Sequence, residues 1–386
     1  MSDRIYLDHN ATTPVDPRVL EKMLPYFTEI YGNAASNDHD FGYEAKKAVD
    51  KAREQIARVI NAKPEEIIFT SGATESDNIA LRGIAEKYAD KGDHIITCVT
   101  EHKAILDVCK KLEKLGKKVI YLPVDQYGMV DPDDVKKAIT PKTILISLMF
   151  ANNEIGTIHP IEEIGKIASD HDIFFHTDAA QAVGHLPIDV QKMNIHLMSM
   201  SGHKIYGPKG VGALYRKKSN PRVEIEPIIF GGGHERGVRS GTLNVPAIVG
   251  FGEAVRIGNQ EMNKENKKYR EWAEYMLTEL RKEVSEIQLN GHPENRLPNN
   301  LNISIPGIES RALIVKLKEV AIATGSACTT AKVEPSHVIE ALGFGDQRAH
   351  NALRFSFGRQ NTQEEIDQAM NHLVSNIKRL NAFSAK

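Results

Sequence analysis

The sequence predicts an α/β fold in which a large domain on a mainly parallel sheet is followed by a smaller α+β domain. From about residue 40 to residue 215, short apolar runs alternate with segments whose apolar residues recur at helical spacing. This alternation is typical of a parallel sheet that is covered by helices on both faces. After about residue 255 the composition changes, because a charge-rich amphipathic stretch at 261–286 precedes a second, shorter set of strand and helix patterns. A domain boundary near residue 255 is therefore expected.

The individual elements follow from the same periodicity. The predicted strands of the large domain are short and apolar, and they lie at 67–70, 94–98, 119–124, 144–150, 173–177, 197–201 and 211–215. The predicted helices have apolar residues three and four positions apart, and they lie at 45–60, 74–88, 106–115 and 160–169. The second domain has strand or helix patterns at 301–305, 311–317, 353–357 and 363–380.

Length and composition limit the class of protein. The 386 residues suffice for two domains with a large buried core, and 41% hydrophobic and 26% charged residues are ordinary for a globular enzyme. A net charge of -2 gives no reason to expect nucleic-acid binding. No stretch reaches the roughly 18 uncharged apolar residues of a membrane span, and the chain starts without an apolar signal region. Three cysteines suggest no disulfide framework, so we expect a cytoplasmic protein without nucleic-acid or membrane partners.

Two ionisable residues stand at the ends of predicted strands. Asp178 directly follows 173–177, and Lys204 follows 197–201 among glycine and small residues. A lysine at the end of a buried strand is poorly placed as a solvated charge and well placed to bond covalently to a group held there. An enzyme that holds pyridoxal 5'-phosphate (PLP) needs a lysine as Schiff base and an acid on the pyridinium nitrogen. The alternative for Asp178 is an ordinary helix N-cap.

The segment 71–76 lies between a predicted strand and a predicted helix and contains Gly72 and three hydroxyl residues. Unpaired backbone N–H groups at a helix N-terminus, with hydroxyls beside them, suit a phosphate. The alternative is a simple capping box. The position at the carboxyl end of a strand, where α/β sheets bind ligands, favours the phosphate.

Polar side chains follow two further strands. His102 comes soon after 94–98 and is suited to stack on an aromatic cofactor ring and to move protons. Asn152 and Asn153 follow 144–150 and are suited to contact ring substituents or substrate. The alternatives are a solvated loop histidine and the ordinary use of asparagine in turns.

The run of small residues at 324–331 contains a thiol, Cys328. An exposed thiol with a low pKa is a nucleophile, whereas a buried thiol behaves as an inert small hydrophobe. The absence of large apolar neighbours favours a functional role for Cys328. Cys98 and Cys109 lie among apolar residues and are predicted to be inert.

Two other features suit anionic groups. The loop 231–242 is rich in glycine, arginine and hydroxyl residues, which suits an anion or, alternatively, a flexible connector. Arg354 is an isolated charge within the apolar strand pattern 353–357. That placement suits a bidentate clamp on a carboxylate.

Together these motifs resemble the PLP-dependent cysteine desulfurases of the Isc/NifS type, nearest to the housekeeping Isc branch. The resemblance extends from Tyr6 to about Arg379. Its most specific parts are several long motifs in the same order, at 70–78, 101–104, 151–156, 201–212, 231–242 and 325–329. The usual Asp-Ala-Thr-Gln or Asp-Ala-Val-Gln of the family has alanine at position 180 here, and the acid and the amide, Asp178 and Gln181, are kept.

The resemblance implies PLP fold-type I, the aminotransferase-like architecture, and a homodimer. The large PLP-binding domain would cover 16–258, and 1–15 with 259–386 would form the small domain that carries the cysteine loop. Lys204 would be the Schiff-base lysine, Asp178 would contact the pyridine nitrogen, His102 would stack on the ring, and Cys328 would carry the persulfide. Further implied contacts are the ring oxygen for Gln181, the phosphate for Ala73, Thr74, Ser201, His203 and Thr242 of the partner subunit, and the substrate carboxylate for Arg354 and Asn153, which would also contact the cofactor.

The implied reaction converts L-cysteine to L-alanine and leaves the sulfur on Cys328, for transfer to an iron–sulfur scaffold or another acceptor protein. No intrinsic metal is expected, although Cys328 would serve as a transient iron–sulfur ligand. Three alternatives remain: a selenocysteine lyase or an aminotransferase of the same fold, or a non-catalytic sulfur-transfer scaffold. The presence of Lys204, Asp178, His102 and Cys328 together argues against the scaffold.

Overall fold

The computed structural model describes residues 4–284, 286–324 and 335–384. The strands in chain order are β1 (Ile5–Tyr6), β2 (Ile67–Thr70), β3 (His94–Cys98), β4 (Lys118–Leu122), β5 (Thr143–Ser147), β6 (Phe174–Asp178), β7 (Leu197–Ser201), β8 (Gly212–Arg216), β9 (Gln288–Leu289), β10 (Asn300–Ser304), β11 (Val320–Ala321) and β12 (Ala352–Ser356). The helices are α1 (Pro17–Met23), α2 (Pro25–Thr28), α3 (Asp40–Val59), α4 (Ala73–Lys87), α5 (Lys103–Lys114), α6 (Pro132–Ala138), α7 (Ile161–Asp170), α8 (Val245–Glu283), α9 (Ser310–Lys316), α10 (His337–Ala341), α11 (Asp346–His350) and α12 (Gln363–Ser384).

A seven-stranded sheet with the order β2-β8-β7-β6-β5-β3-β4 forms the centre of the large domain. Its strands are parallel except β8, which is antiparallel to both neighbours. The prediction of a mainly parallel sheet is thus confirmed. The exception follows from chain length, because only residues 202–211 connect β7 to β8 and a parallel crossover needs a dozen or more.

Helices cover both faces of this sheet. Successive residues of β2 show the alternation expected of a strand, because Ile67 and Phe69 belong to one apolar cluster and Ile68 to another. The first cluster includes α3 residues such as Ile56, and the second includes α4 residues such as Leu81. Burial on both faces explains why every residue of β2 and β3 is buried, whereas the edge strand β4 exposes Lys118 and Ile120.

The long helix α8 joins the two apolar cores. The sequence predicts it at 261–286, whereas it begins at Val245 and ends at Glu283. The segment 245–258 is buried almost all round, so it has no amphipathic period that would reveal a helix. This first part packs in the large-domain core, while Tyr269 and Trp272 pack in the second core.

The second core is built around a three-stranded antiparallel sheet of the order β12-β10-β9. The N-terminal strand β1 pairs in parallel with β11, and Ile5 and Leu7 share an apolar cluster with Leu301 and Phe355. This packing supports the division into 16–258 and the remainder, which stays a prediction. None of the described helices is both long and apolar enough to cross a bilayer.

Candidate active site

The residues that follow the carboxyl ends of β2, β3, β5, β6 and β7 surround one cavity of about 480 Å³. That volume lies within the range of roughly 300–1,000 Å³ typical of small-molecule sites. The cavity is lined by ten of the predicted site residues, namely Ala73, Thr74, His102, Asn153, Asp178, Gln181, Ser201, His203, Lys204 and Arg354. Thr242 is exposed and is not among the lining residues, and Cys328 lies outside the described residues.

Asp178 forms the floor of the cavity at the end of β6. One carboxylate oxygen accepts a hydrogen bond of 2.9 Å from the N–H of Ala180. Burial raises the pKa of the Asp178 carboxyl, although His102, the Ala180 N–H and Lys204 oppose that shift. A cationic ring nitrogen above this carboxylate would stabilise its ionised form.

Lys204 ends a single 3-10 turn, Gly202–Lys204, that follows β7 directly. Its Nζ donates to the carbonyl oxygens of Asn10, at 2.6 Å, and Ala11, at 2.9 Å. The Asn10 carbonyl also accepts a hydrogen bond of 2.9 Å from Gln181 Nε2. The N-terminal segment therefore supplies the acceptors that hold the lysine amine at the cavity.

His102 is the N-cap residue of α5. Its Nδ1 accepts a hydrogen bond of 3.2 Å from the N–H of Ala104. Because Nδ1 is the acceptor, the neutral ring carries its proton on Nε2. The cap thus fixes both the position and the tautomer of a ring that borders the cavity.

The opposite end of the cavity is suited to an anion. Helix α4 begins here at Ala73, beside Ser201 and His203, and its unpaired N–H groups favour negative charge. Burial and the nearby Lys204 and Lys209 lower the pKa of His203 to about 4, so the ring is neutral and Nδ1 is paired with Thr12 Oγ1 at 3.1 Å.

The backbone approaches very closely at this end. A Cβ at Gly212 would lie 2.4 Å from the Met200 carbonyl oxygen and 2.6 Å from the Gly72 Cα. Glycine is therefore required where β8 passes the loop between β2 and α4. The charge of Glu75, in the first turn of α4, is neutralised by Arg239 at 2.7 Å.

Arg354 projects from β12 and is 1% exposed. One terminal nitrogen pairs with Asp8 at 2.7 Å, and the other donates to the Asn153 carbonyl oxygen at 2.9 Å. Its Nε has no hydrogen-bond partner among the described residues. A buried guanidinium with spare donor capacity beside Asn153 suits the carboxylate of an amino acid.

Asn10 and Asp77 are among the lining residues that were not singled out from the sequence. Asn10 links the site together, because its side chain donates to the Asn153 carbonyl at 3.3 Å and accepts from Asn299 at 3.1 Å. Asp77 on α4 is fully buried, and neither carboxylate oxygen has a hydrogen-bond partner in the described part of the chain. Both lie within the span of the resemblance, which begins at Tyr6, and Asp77 lies in its segment 70–78; that position is the only sequence signal that indicates them.

Cys98 and Cys109 are buried free thiols, as predicted. Burial raises the pKa of the Cys98 thiol well above its ordinary value and that of Cys109 to about 12. Neither thiol can act as a thiolate nucleophile at neutral pH. In the described ranges, no group of three histidine, cysteine or acidic side chains is arranged to hold a metal ion.

Comparison with known proteins identifies the family. The family model of class-V aminotransferases matches residues 5–369. Cysteine desulfurase IscS of Rickettsia rickettsii (strain Iowa) is 51% identical over 380 residues, which cover 98% of this chain and 92% of that protein. The chain belongs to the Isc/NifS-type cysteine desulfurases. The enzymes of this family are PLP-dependent.

Solved structures agree with this assignment. A NifS-like protein superposes with a TM-score of 0.91 at 38% identity, covering 97% of this chain and 99% of that chain. A structure described as SspA in complex with cysteine has a TM-score of 0.81 at 38% identity, with coverages of 92% and 98%. The predicted family and the aminotransferase-like fold-type I architecture are confirmed.

Proposed function

We propose that this protein binds PLP, converts L-cysteine to L-alanine and retains the sulfur on Cys328 as a persulfide for an acceptor protein. The reaction balances, because the S–S bond to Cys328 forms as the Cβ–S bond of the substrate breaks. The electron pair left at Cβ takes up the proton lost by the Cys328 thiol, so the remaining three-carbon amino acid leaves as alanine. The observation that carries the proposal is the arrangement of Lys204, Asp178, His102 and Arg354 around one cavity.

The cavity fits the cofactor. Asp178 offers a buried carboxylate for a protonated ring nitrogen, Lys204 offers an amine, and the N-terminus of α4 with Thr74 and Ser201 offers donors for the phosphate. When bound, PLP supplies the electron sink that stabilises negative charge at the Cα of an amino acid. Gln181, anchored to the Asn10 carbonyl, would hold the ring oxygen.

The remaining steps, which are substrate binding, proton transfer and removal of the sulfur, would each be carried out by different side chains. Arg354 and Asn153 would fix the substrate carboxylate and so orient the Cα–H bond towards Lys204. Lys204, released from its covalent bond, would take the α-proton, and the Asn10 and Ala11 carbonyls would keep its amine in place. His102 Nε2 would donate or accept a proton as the sulfur leaves the substrate for Cys328. Cys328 would be the nucleophile that removes the sulfur.

Replacement of Cys328 tests the proposal. In Cys328→Ala we expect the visible absorbance of bound PLP to be retained and cysteine-dependent sulfide release to be abolished. The matched control is Cys109→Ala, which removes a buried thiol and should leave sulfide release unchanged. Unchanged sulfide release in Cys328→Ala would refute the assignment of the nucleophile.

Product analysis separates the alternatives. A transaminase of this fold would produce a 2-oxo acid in place of alanine, and a selenocysteine lyase would prefer selenocysteine when rates on the two amino acids are compared. Failure of the purified protein to bind PLP would favour the non-catalytic scaffold. Alanine formation with and without candidate acceptor proteins would identify the class of acceptor.

We also propose a homodimer and a cytoplasmic location. Several aromatic side chains are exposed on α2, α3 and the loops beside them, notably Phe27, Tyr31 and Tyr43, and Phe230 is 82% exposed beside the glycine-rich loop. Exposed apolar groups of this kind are typical of subunit interfaces. Light scattering would give the oligomeric state. If Thr242 serves the neighbouring subunit, Thr242→Ala should weaken PLP binding although Thr242 does not line its own cavity.

A further inference from the structure

The loop that carries Lys204 is a closed turn with a strained residue. The N–H groups of Ile205 and Gly207 both donate to the Gly202 carbonyl, at 3.2 and 3.0 Å. Between them Tyr206 has a φ of 64°, in the left-handed region that bulky residues avoid. This conformation turns the chain back so that Gly207 reaches Gly202. Such strain persists only where the surroundings hold it, and it is concentrated at functional sites.

Hydrogen bonds and a ring contact hold Tyr206, which is 2% exposed. Its N–H donates to Thr13 Oγ1 at 2.7 Å, and its carbonyl accepts from the N–H of Asp16 at 3.0 Å. Its hydroxyl accepts a hydrogen bond of 2.6 Å from the backbone N–H of Arg359. The Arg359 guanidinium also lies 4.3 Å from the centre of the Tyr206 ring. Arg359, which follows β12, thus contacts Tyr206, two residues after Lys204, through both its backbone and its side chain.

Arg359 is itself fixed by a network of carboxylates. Its Nη1 lies 2.6 Å from Asp16 Oδ2, and its Nε lies 2.5 Å from Glu265 and 3.2 Å from Glu261. Arg18 and Arg359 together hold the pKa of the Asp16 carboxyl well below its usual range. One partly buried guanidinium therefore connects Asp16, helix α8 and the ring of Tyr206.

We propose that Arg359 is a positioning residue for Lys204, acting through Tyr206. By clamping Tyr206 in its left-handed conformation it fixes the closed turn, and with it the direction in which the lysine amine enters the cavity. The proposal rests on the proposed function, in which Lys204 bonds to PLP. It also links the small domain to the cofactor lysine without any contact between Arg359 and the reacting atoms.

The chain offers a matched control in Arg18. Arg18 pairs with two of the three carboxylates that surround Arg359, Asp16 at 2.7 Å and Glu261 at 2.6 Å. It is half exposed, and no contact between Arg18 and Tyr206 is found in the described residues. Arg18→Gln and Arg359→Gln each remove one positive charge next to Asp16 and Glu261, so a difference between them reports the contacts that only Arg359 makes, with Tyr206 and Glu265.

The test measures bound PLP in the holoenzyme. The apparent pKa of its visible absorbance and the rate of PLP release are compared in wild type, Arg359→Gln and Arg18→Gln. We expect Arg359→Gln to shift the apparent pKa by about half a unit or more, a roughly threefold change in the protonation equilibrium, and to speed PLP release several-fold. Arg18→Gln should shift it by less than about 0.2 unit. Equal shifts in the two variants, or none in Arg359→Gln, would overturn the proposal.

Two further variants keep the test decisive. Arg359→Lys retains the charge but not the planar group that stacks on Tyr206, so an intermediate shift is expected even if Arg359→Gln folds poorly. In a Tyr206→Leu background, which lacks the ring that the Arg359 guanidinium contacts, Arg359→Lys should have a smaller additional effect than in wild type, and full additivity would contradict the route through Tyr206. A wild-type protein without the PLP absorbance would instead refute the proposed function.

Discussion

The carboxyl groups beneath the cavity and those at the predicted domain boundary, Asp16 and Glu261, have pKa values that their surroundings shift in opposite directions. Under the cavity, burial raises the pKa values of Asp77 and Asp178, and it raises that of Glu101 to about 8. At the boundary, arginine side chains lower the pKa values of Asp16 and Glu261. The boundary carboxyls are therefore stabilised as anions by the arginines that they pair with. The carboxyls beneath the cavity favour their protonated form, and a cationic ligand in the cavity would stabilise their ionised form.

His176, the histidine beside Asp77, does not supply it with a counter-charge. Its ring nitrogens are paired with Ser147 at 2.9 Å and Ser199 at 3.0 Å, and burial lowers its pKa to about 3. It is therefore neutral although its Nε2 lies 3.6 Å from Asp77 Oδ1. Burial, and the charges of Asp178 and Glu101, raise the pKa of Asp77 well above its usual range. We therefore expect Asp77 to hold its proton and Asp178 to carry the negative charge.

The largest predicted effect separates these two floor carboxyls. Asp178→Asn removes the anion under the ring nitrogen, and we expect alanine formation at saturating PLP to fall by about 10²–10³-fold. Asp77→Asn replaces a neutral carboxyl by a neutral group of the same shape, so its rate should change by less than about threefold. A comparable loss of rate in both variants would show that Asp77 is ionised and would contradict the different protonation expected for Asp77 and Asp178.

A second, smaller effect is expected at the substrate end. Arg354→Gln removes a charge-assisted clamp worth about 1.5–3 kcal/mol, so KM for L-cysteine should rise by about 10- to 100-fold with a smaller change in kcat. Arg354→Lys keeps the charge but lacks the two-pronged guanidinium, so its KM should lie between those of wild type and Arg354→Gln. Steady-state kinetics provide the measurement. A fall in kcat at constant KM would place Arg354 outside carboxylate binding.

The pH dependence of stability tests the floor in a third way. The pKa of Glu101 is about 8 when folded and near 4.5 when exposed, so folding binds a proton in this window and Glu101 destabilises the folded state increasingly as pH rises. Glu101→Gln removes this dependence and should gain up to a few kcal/mol relative to wild type between pH 5 and pH 8. Urea unfolding of PLP-free protein measures the difference. An equal difference at both pH values would contradict the raised pKa.

The smallest effect is expected for ion pairs outside both regions. Lys166 and Asp170 lie 2.7 Å apart on α7, with both side chains more than half exposed. Lys166→Ala should change the free energy of unfolding by less than about 0.5 kcal/mol, because water screens the pair. Thermal unfolding measures this change. A loss of stability larger than this would contradict the claim that exposed ion pairs contribute less than buried ones.

The sequence predicted those site residues whose position follows from the order of strands and helices along the chain. Asp178 and Lys204 were found because residues after parallel strands meet at one edge of the sheet. The roles of Thr74 and Ser201 came from the family resemblance. Asn10, Asp77 and the contact of Arg359 with Tyr206 were not predicted, because they depend on packing between segments that periodicity leaves unrelated. The start of α8 was missed for the same kind of reason, since a helix buried all round lacks an apolar stripe.

The central claim is that sulfur leaves the substrate for one cysteine only. The most direct measurement is mass spectrometry of peptides after treatment with L-cysteine and blocking of thiols. The account predicts one added sulfur atom on Cys328 and none on Cys98 or Cys109, whose thiols are buried and protonated. Sulfur on either buried cysteine, or alanine formed without any sulfur on Cys328, would contradict it.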